Sequence, residues 1–120
     1  MKHPEILGVT IDCTDVPRVA AFWRDLLGLQ EDDSRPGWSY LSHPEGRPPR
    51  LTFQPVPEPR QGKVRIHLDL QVEDMAAAKE RVVELGGSLT GHEHTYPDGQ
   101  VVLVEDPEGH VLCLVRFGSP

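Results

Sequence analysis

The stretch "HLDLQVEDMAAAKERVVELGG" (67–87) decides the fold, because it repeats the plan of an earlier stretch, "GVTIDCTDVPRVAAFWRDLLG" (8–28). Each stretch begins with alternating side chains, which predicts a strand, and continues with apolar residues at helical spacing. Asp15 and Asp74 occupy the same place in the two copies, immediately before the predicted helix, where an aspartate caps the free backbone N–H groups. A repeat of this kind predicts two modules of the same design.

The remainder of each copy also matches. The turns "HPEG" (43–46) and "DPEG" (106–109) each lie between two strand-like runs and predict hairpins. The stretches "LQEDDS" (29–34) and "SLTGHEH" (88–94) are weaker candidates for one more strand in each copy. Each module is then strand, helix and three strands, which predicts an α+β fold built from two βαβββ modules.

A segment rich in proline and polar residues, 55–63, predicts the linker between the modules. The predicted organisation is one domain over 1–120, with module one at about 5–57 and module two at about 64–118. A chain of 120 residues, 38% of them hydrophobic, fits one soluble domain with a core. The two predicted helices, 16–27 and 75–85, carry apolar stripes that include Trp23 and Met75, and we interpret these as core positions.

Composition narrows the class of partner. No apolar run reaches the roughly 18 residues that a membrane span requires. Pro4 and Glu5 interrupt the apolar run that a signal peptide would need near the N-terminus, so we expect a cytoplasmic protein. The net charge of −7, from 12 basic and 19 acidic residues without a basic cluster, argues against nucleic-acid binding and favours neutral or cationic ligands. Cys13 and Cys113 lie outside any CxxC motif and are predicted to be buried free thiols.

The predicted strands have one apolar and one polar face. In 7–13 the polar set is Gly8, Thr10 and Asp12, and in 66–72 it is His67, Asp69 and Gln71. Such a face is either solvated or the wall of a ligand cavity, and the pattern leaves both interpretations open. Cys113 lies in "VLCLV", which is apolar on both faces, so alternation does not place it.

His67 is the leading candidate for chemistry. An unperturbed histidine exchanges protons near neutral pH, and Asp69, two residues on, points to the same side of the strand. His67 and Asp69 are therefore the candidate catalytic pair; the alternatives for His67 are a metal ligand and a structural polar residue. The candidate ligand-binding residues share the polar face or lie beside it: Thr10, Asp12, Trp38, Tyr40, Thr52, Gln54, Gln71 and Cys113.

The other histidines have simpler interpretations. His92 and His94 have the i, i+2 spacing of metal ligands, but Gly, Pro and charged neighbours predict an exposed loop. His43 and His110 belong to the two Pro-x-Gly turns and are predicted to serve turn structure.

Three stretches together resemble the vicinal oxygen chelate superfamily, which includes glyoxalase I, extradiol dioxygenases and the fosfomycin and bleomycin resistance proteins. They are "VTIDCTDVPRVAAFWRDLLGL", "RIHLDLQVEDMAAAKERVVELGG" and "VVLVEDPEGHVLCLV". Their sequences are most similar to the glyoxalase-like domain subgroup of that superfamily. The resemblance implies that the two modules form a cup-shaped mixed sheet with the helices outside, and it implies a homodimer. It says less about activity, because one fold hosts many functions.

The resemblance also implies four metal-ligand positions, which fall on Gly8, Gln54, His67 and Cys113. Metal-dependent members have His, Glu, His and Glu there, so only His67 matches. We therefore expect no cofactor; the alternative is a divalent metal held by His67, Gln54 and Cys113.

Three functions follow from the resemblance. The first is a protein that binds or sequesters a small organic or cationic compound in the cup. The second is a lyase, isomerase or dioxygenase that uses His67 with or without a divalent metal. The third is a regulatory or partner-binding module whose cup is filled by its own side chains.

Overall fold

The protein consists of two helices and eight strands in a computed structural model that describes residues 3–118. In chain order the elements are β1 (Gly8–Cys13), α1 (Val16–Leu27), β2 (Gln30–Asp32), β3 (Ser39–Ser42), β4 (Arg50–Pro55), β5 (Leu68–Gln71), α2 (Met75–Glu84), β6 (Ser88–Tyr96), β7 (Gly99–Glu105) and β8 (Val111–Phe117). The chain divides after Pro59 into two compact units. Each unit is βαβββ, which confirms the α+β class and the repeat. The bounds of the predicted domain and its modules stay predictions, and residues 1–2 and 119–120 lie outside the described residues.

The first unit holds a four-stranded sheet in the order β1-β4-β3-β2. β1 and β4 are parallel, and the other neighbours are antiparallel. Burial alternates along the strands as the sequence predicts: Leu51 and Phe53 are buried, whereas Thr52 and Gln54 between and beside them are half-exposed. α1 packs on the buried face. The fully buried side chains of this unit are Val19, Phe22, Trp23, Leu41, Leu51, Phe53 and Cys13.

The second unit repeats this arrangement with the order β5-β8-β7-β6, in which β5 and β8 are parallel. α2 packs against β8 and β6. The buried face carries Val102 and Val104 from β7 and Leu112 and Leu114 from β8, all at most 1% exposed. Each sheet therefore has one face under a helix and one face without a helix of its own unit, which we call the open face.

Both helices begin at the predicted aspartates. Asp15 accepts a hydrogen bond from Arg18 N at 3.3 Å, and Asp74 accepts one from Ala77 N at 3.0 Å. α1 ends at Gly28, whose φ of 66° is the left-handed conformation that glycine adopts without strain. Trp23 and Met75 lie in the core, as predicted.

The two Pro-x-Gly turns close the predicted hairpins. Gly46 N donates to His43 O and Gly109 N to Asp106 O. His110 contacts Asp106 in the second turn, which confirms its structural role there.

One prediction was wrong. The stretch around His92 and His94 is the strand β6, as the weaker candidate strand 88–94 predicted, and not the loop predicted from the neighbours of the two histidines, although both histidines are exposed as expected. β6 lies at the edge of its sheet and pairs only with β7, through a register shift between Leu89 and Glu93. Both faces of β6 are largely solvated, so this strand forms through backbone pairing and not through burial of an apolar side.

Cys13 and Cys113 are buried and neither forms a disulfide, as predicted. Among residues 3–118, no helix is long and apolar enough to cross a membrane.

Candidate functional site

Three side chains of the second unit meet on its open face: His67, Asp69 and Cys113. Asp69 of β5 and Cys113 of β8 are register partners in the parallel pair, so their side chains project side by side from the same face. His67 precedes β5 and lies two residues before Asp69. Its Nδ1 is 3.4 Å from Asp69 Oδ1 and 3.5 Å from Cys113 Sγ. The predicted pair His67 and Asp69 is thus in contact, and the structure adds Cys113 to it.

Burial divides this cluster into a covered thiol and two accessible partners. Cys113 is 3% exposed, whereas the side chains of His67 and Asp69 are 41% and 65% exposed. Loss of solvent raises the pKa of the Cys113 thiol, and the charge of Asp69 and a hydrogen bond to it raise that pKa further. The residue is therefore a protonated thiol at neutral pH, and a thiol is a much weaker nucleophile than a thiolate.

The cluster lies on an apolar floor. Leu103 is the register partner of Cys113, and Val101 is the partner of Val115, which is itself the partner of Gln71. The half-buried apolar residues of this open face are Val101, Leu103, Val111 and Val115. Half-burial on the face away from α2 leaves apolar surface in reach of a ligand.

The open face of the first unit carries the other candidate residues. Thr10, Thr52 and Tyr40 form one row across β1, β4 and β3, and Asp12 pairs with Gln54 in the next row. Thr10 and Asp12 are exposed, and Thr52, Gln54 and Tyr40 are half-buried.

Trp38 lies just before β3 and packs edge-on against Tyr40, with ring centroids 6.4 Å apart. The guanidinium of Arg35 lies 5.1 Å from the centre of the Trp38 ring. One aromatic face is thus covered by a cation of the same unit, so the contacts of Trp38 favour a role in packing over the predicted role in ligand binding.

A hollow of about 430 Å³ opens at the β1 edge of this sheet. Its lining residues are Ile6, Leu7, Gly8, Val9, Thr10, Arg50 and Thr52. Only Thr10 and Thr52 of the predicted ligand-binding set reach it. Ile6 and Leu7 are 79% and 64% exposed, so the lining of the hollow combines exposed apolar side chains with the cation of Arg50.

The comparisons with known proteins decide the family. The Glyoxalase-like domain family model matches residues 8–115, nearly the whole chain. This chain belongs to the glyoxalase-like domain family. The superfamily inferred from the three sequence stretches is thereby confirmed. Among curated proteins, no sequence matches this glyoxalase-like domain.

Solved structures share the fold at low identity. A fosfomycin resistance protein from Listeria monocytogenes superposes with a TM-score of 0.77 at 16% identity, covering 96% of this chain and 94% of that one. A glyoxalase/bleomycin resistance protein/dioxygenase from Nocardioides gives 0.75 at 15%, covering 99% and 87%. A lactoylglutathione lyase from Agrobacterium tumefaciens gives 0.65 at 22%, covering 96% and 95%. These likenesses establish the fold.

The metal set that the superfamily implies does not fit this glyoxalase-like domain. A Cβ atom at Gly8 would lie 2.6 Å from the carbonyl oxygen of Arg50, so the backbone there leaves no room for any ligand side chain. Gln54 offers a neutral amide and Cys113 a thiol where the family has carboxylates, and hard cations prefer oxygen anions. Only His67 supplies the expected kind of donor.

Two features of the site were beyond sequence reasoning. The apolar floor was missed because β7 and β8 read as apolar on both faces, so alternation did not separate the core residues from those of the open face. The contact of Cys113 with His67 depends on the register between β5 and β8. The available signal was the family resemblance, which implies that His67 and Cys113 are two of four metal-ligand positions.

Proposed function

We propose that this glyoxalase-like domain binds a small organic compound, neutral or cationic, on the open faces of its sheets and without the metal set of its superfamily. The observation that supports it best is the half-buried apolar floor of the second unit, Val101, Leu103, Val111 and Val115, beside the polar groups of His67, Asp69 and Gln71. A predominantly apolar surface with few converging polar groups is the usual composition of a small-molecule site.

Charge supports the preference for a cation. The open faces carry the carboxylates of Asp12 and Asp69, and the net charge of the chain is −7. An acidic surface concentrates cations and repels phosphates and carboxylates. In the first unit the candidate contacts are Thr10, Thr52, Tyr40 and Gln54, whose hydroxyl and amide groups both donate and accept hydrogen bonds.

A thermal-shift screen tests this proposal. The full chain is melted in a chelating buffer with cationic, neutral and anionic organic compounds. A compound present at 100 times its dissociation constant stabilises the fold by about 2.7 kcal/mol, which raises the melting temperature by several degrees. We expect shifts among the cationic and neutral compounds.

Charge-matched variants locate the binding. Asp69→Asn and Asp12→Asn each remove one carboxylate from an open face, and Glu80→Gln removes one from the exposed side of α2. A cationic compound should bind the first two variants less tightly and Glu80→Gln unchanged. Equal weakening in all three would reduce the effect to net charge, and a flat response to every compound would favour the partner-binding module.

Acid–base catalysis is the second candidate function, and the contact between His67 and Asp69 favours it. The carboxylate 3.4 Å from Nδ1 can orient the imidazole, while the exposed ring stays accessible to a bound molecule. Proton transfer of this kind serves lyases and isomerases.

Its test is turnover of any compound that the screen identifies. His67→Ala should abolish turnover, whereas His92→Ala, which changes an exposed histidine of β6, should not. If His67→Ala leaves the rate unchanged, this candidate is excluded and binding stands alone.

A further inference from the structure

Three donor atoms of different chemistry converge in the second unit. Cys113 Sγ, His67 Nδ1 and a carboxylate oxygen of Asp69 all lie within 4.8 Å of one another. The backbone sets this arrangement, because Asp69 and Cys113 are register partners of a parallel strand pair and His67 precedes Asp69 by two residues. The cluster therefore belongs to one unit and needs no change of register to form.

The distances fit a tetrahedral cation. Zinc lies about 2.3 Å from sulfur and about 2.0–2.1 Å from imidazole nitrogen or carboxylate oxygen, which places the sulfur and nitrogen ligands about 3.5 Å apart and the nitrogen and oxygen ligands about 3.3 Å apart. The cluster has Sγ 3.5 Å from Nδ1 and Nδ1 3.4 Å from Oδ1. Two edges of such a tetrahedron are thus already present.

We propose that the second unit binds a thiophilic divalent cation of the zinc class through Cys113 Sγ, His67 Nδ1 and Asp69 Oδ1. Binding of the cation displaces the thiol proton of Cys113 into solvent, so that a thiolate and a carboxylate balance the two positive charges and imidazole supplies the neutral ligand. Sulfur selects against magnesium and calcium, which bind oxygen donors. The exposed sides of His67 and Asp69 leave the fourth position open to water or to a bound molecule.

This site shares the positions of His67 and Cys113 with the one that the superfamily implies, but it has a different set of donor atoms. Asp69 is not among the four inherited positions, and Gly8 and Gln54 take no part. The inference also stands apart from the proposed function, because the open faces can bind an organic compound with or without the cation. The organic screen runs in chelator and the metal titration runs without an organic compound, so either idea can fail alone.

Cobalt is the probe, since Co²⁺ occupies zinc sites and reports its ligands by absorption. The chelator-treated full chain is titrated with Co²⁺. We expect saturation at one ion per chain, a near-ultraviolet charge-transfer band from thiolate to cobalt, and visible bands of tetrahedral intensity. Zn²⁺ should displace the cobalt at equal concentration, and Mg²⁺ in excess should not.

Variants assign the ligands. Cys113→Ser should remove the charge-transfer band, and His67→Ala and Asp69→Asn should each weaken Co²⁺ binding at least about tenfold. The matched controls are Cys13→Ala, which removes the other thiol, and His92→Ala, which removes an exposed histidine of β6. Both controls should bind Co²⁺ as the unaltered chain does. Circular dichroism without metal checks that each variant is folded.

Four results would overturn the proposal. They are no charge-transfer band at saturation, a band that survives Cys113→Ser, a band lost in Cys13→Ala, or binding lost in His92→Ala. If Cys113→Ser does not fold, the exposed positions His67 and Asp69 decide the question: unchanged Co²⁺ affinity in both variants overturns it as well.

Discussion

Gly8 lies beside Arg50 in the parallel pair of β1 and β4, and a Cβ atom on Gly8 would stand 2.6 Å from the Arg50 carbonyl oxygen. Real Cβ atoms do not approach a backbone oxygen this closely, and the obstacle is backbone, which cannot rotate away. The close approach of β1 to β4 at this position therefore requires a residue without a Cβ atom. It is also the position where metal-dependent relatives have a histidine, so this glyoxalase-like domain could not regain that ligand by a single substitution.

Substitution of Gly8 should accordingly destabilise the fold. Gly8→Ala and Gly8→His should each lower the free energy of unfolding by about 1–3 kcal/mol, because β1 must shift away from β4 to admit the new atoms. Urea denaturation measures the loss. Thr10→Val, on the same strand and the same exposed face, is the control and should stay within about 0.5 kcal/mol. Gly8→His with unaltered stability would show that the strand pair is more yielding than its geometry indicates.

Loss of the buried carboxylate of Asp106 should lower the free energy of unfolding more than the loss of an exposed turn residue. Asp106 is 3% exposed and accepts hydrogen bonds from Glu108 N at 2.9 Å and His110 N at 3.0 Å, with His110 Nδ1 2.7 Å from its second oxygen. Asp106→Ala leaves these donors without their acceptor, so we expect the free energy of unfolding to fall by about 2–3 kcal/mol. Thermal or urea unfolding would show it.

The first unit supplies the matched control for Asp106. His43 occupies the same place in its own turn, where its Nδ1 accepts a hydrogen bond from Glu45 N at 3.2 Å and its Nε2 contacts Arg47 Nη2, both in an exposed setting. His43→Ala should cost no more than about 0.5 kcal/mol. If Asp106→Ala lowers the free energy of unfolding as little as His43→Ala does, the hydrogen bonds of Asp106 add little to stability despite its burial.

The sequence predicts most of the fold because its strongest signals are local. Alternation, helical spacing and the caps at Asp15 and Asp74 each depend on a few neighbouring residues, and the repeat doubles the weight of each signal. β6 was predicted only weakly, for the opposite reason. Its backbone pairs with β7 at a sheet edge, so its side chains, His92 and His94 among them, need no alternation.

The candidate site was only half predictable. The contact of His67 with Asp69 follows from the period of a strand, so the sequence alone placed these two together. Cys113 joined them through the register of β5 with β8, which brings together residues 44 to 46 positions apart. No local pattern encodes that register, and "VLCLV" hides it further, because one side of the strand is core and the other is the apolar floor.

Asp15 and Asp74, which occupy equivalent positions in the repeat, should contribute similarly to stability as helix caps. Asp15→Ala and Asp74→Ala each remove the oxygen that accepts from Arg18 N or Ala77 N, so each should lower the free energy of unfolding by about 1 kcal/mol. Asn caps nearly as well as Asp, so Asp15→Asn and Asp74→Asn should recover most of the loss. If an Asn variant is as unstable as the corresponding Ala variant, the carboxylate acts through its charge and not as a cap.

The pKa of Cys113 predicts a shifted pH profile for thiol alkylation. Burial and the neighbouring carboxylate of Asp69 raise that pKa, and only the thiolate reacts, so the rate should rise at a higher pH than the roughly 8.5 of an ordinary cysteine. The measurement uses Cys13→Ala, in which Cys113 is the only thiol, with iodoacetamide in the presence of a chelator. Guanidinium-unfolded protein gives the ordinary profile for comparison.

Asp69→Asn in the same background separates the two causes of that shift. Removing the negative charge favours the thiolate, so the midpoint of the alkylation profile should move down towards the ordinary value. It should not reach that value, because loss of solvent is the larger cause and stays in place. A midpoint that does not move would mean that Asp69 and Cys113 do not interact electrostatically, although their strands pair them. A midpoint already ordinary before the substitution would mean that solvent reaches the sulfur more freely than its 3% exposure indicates.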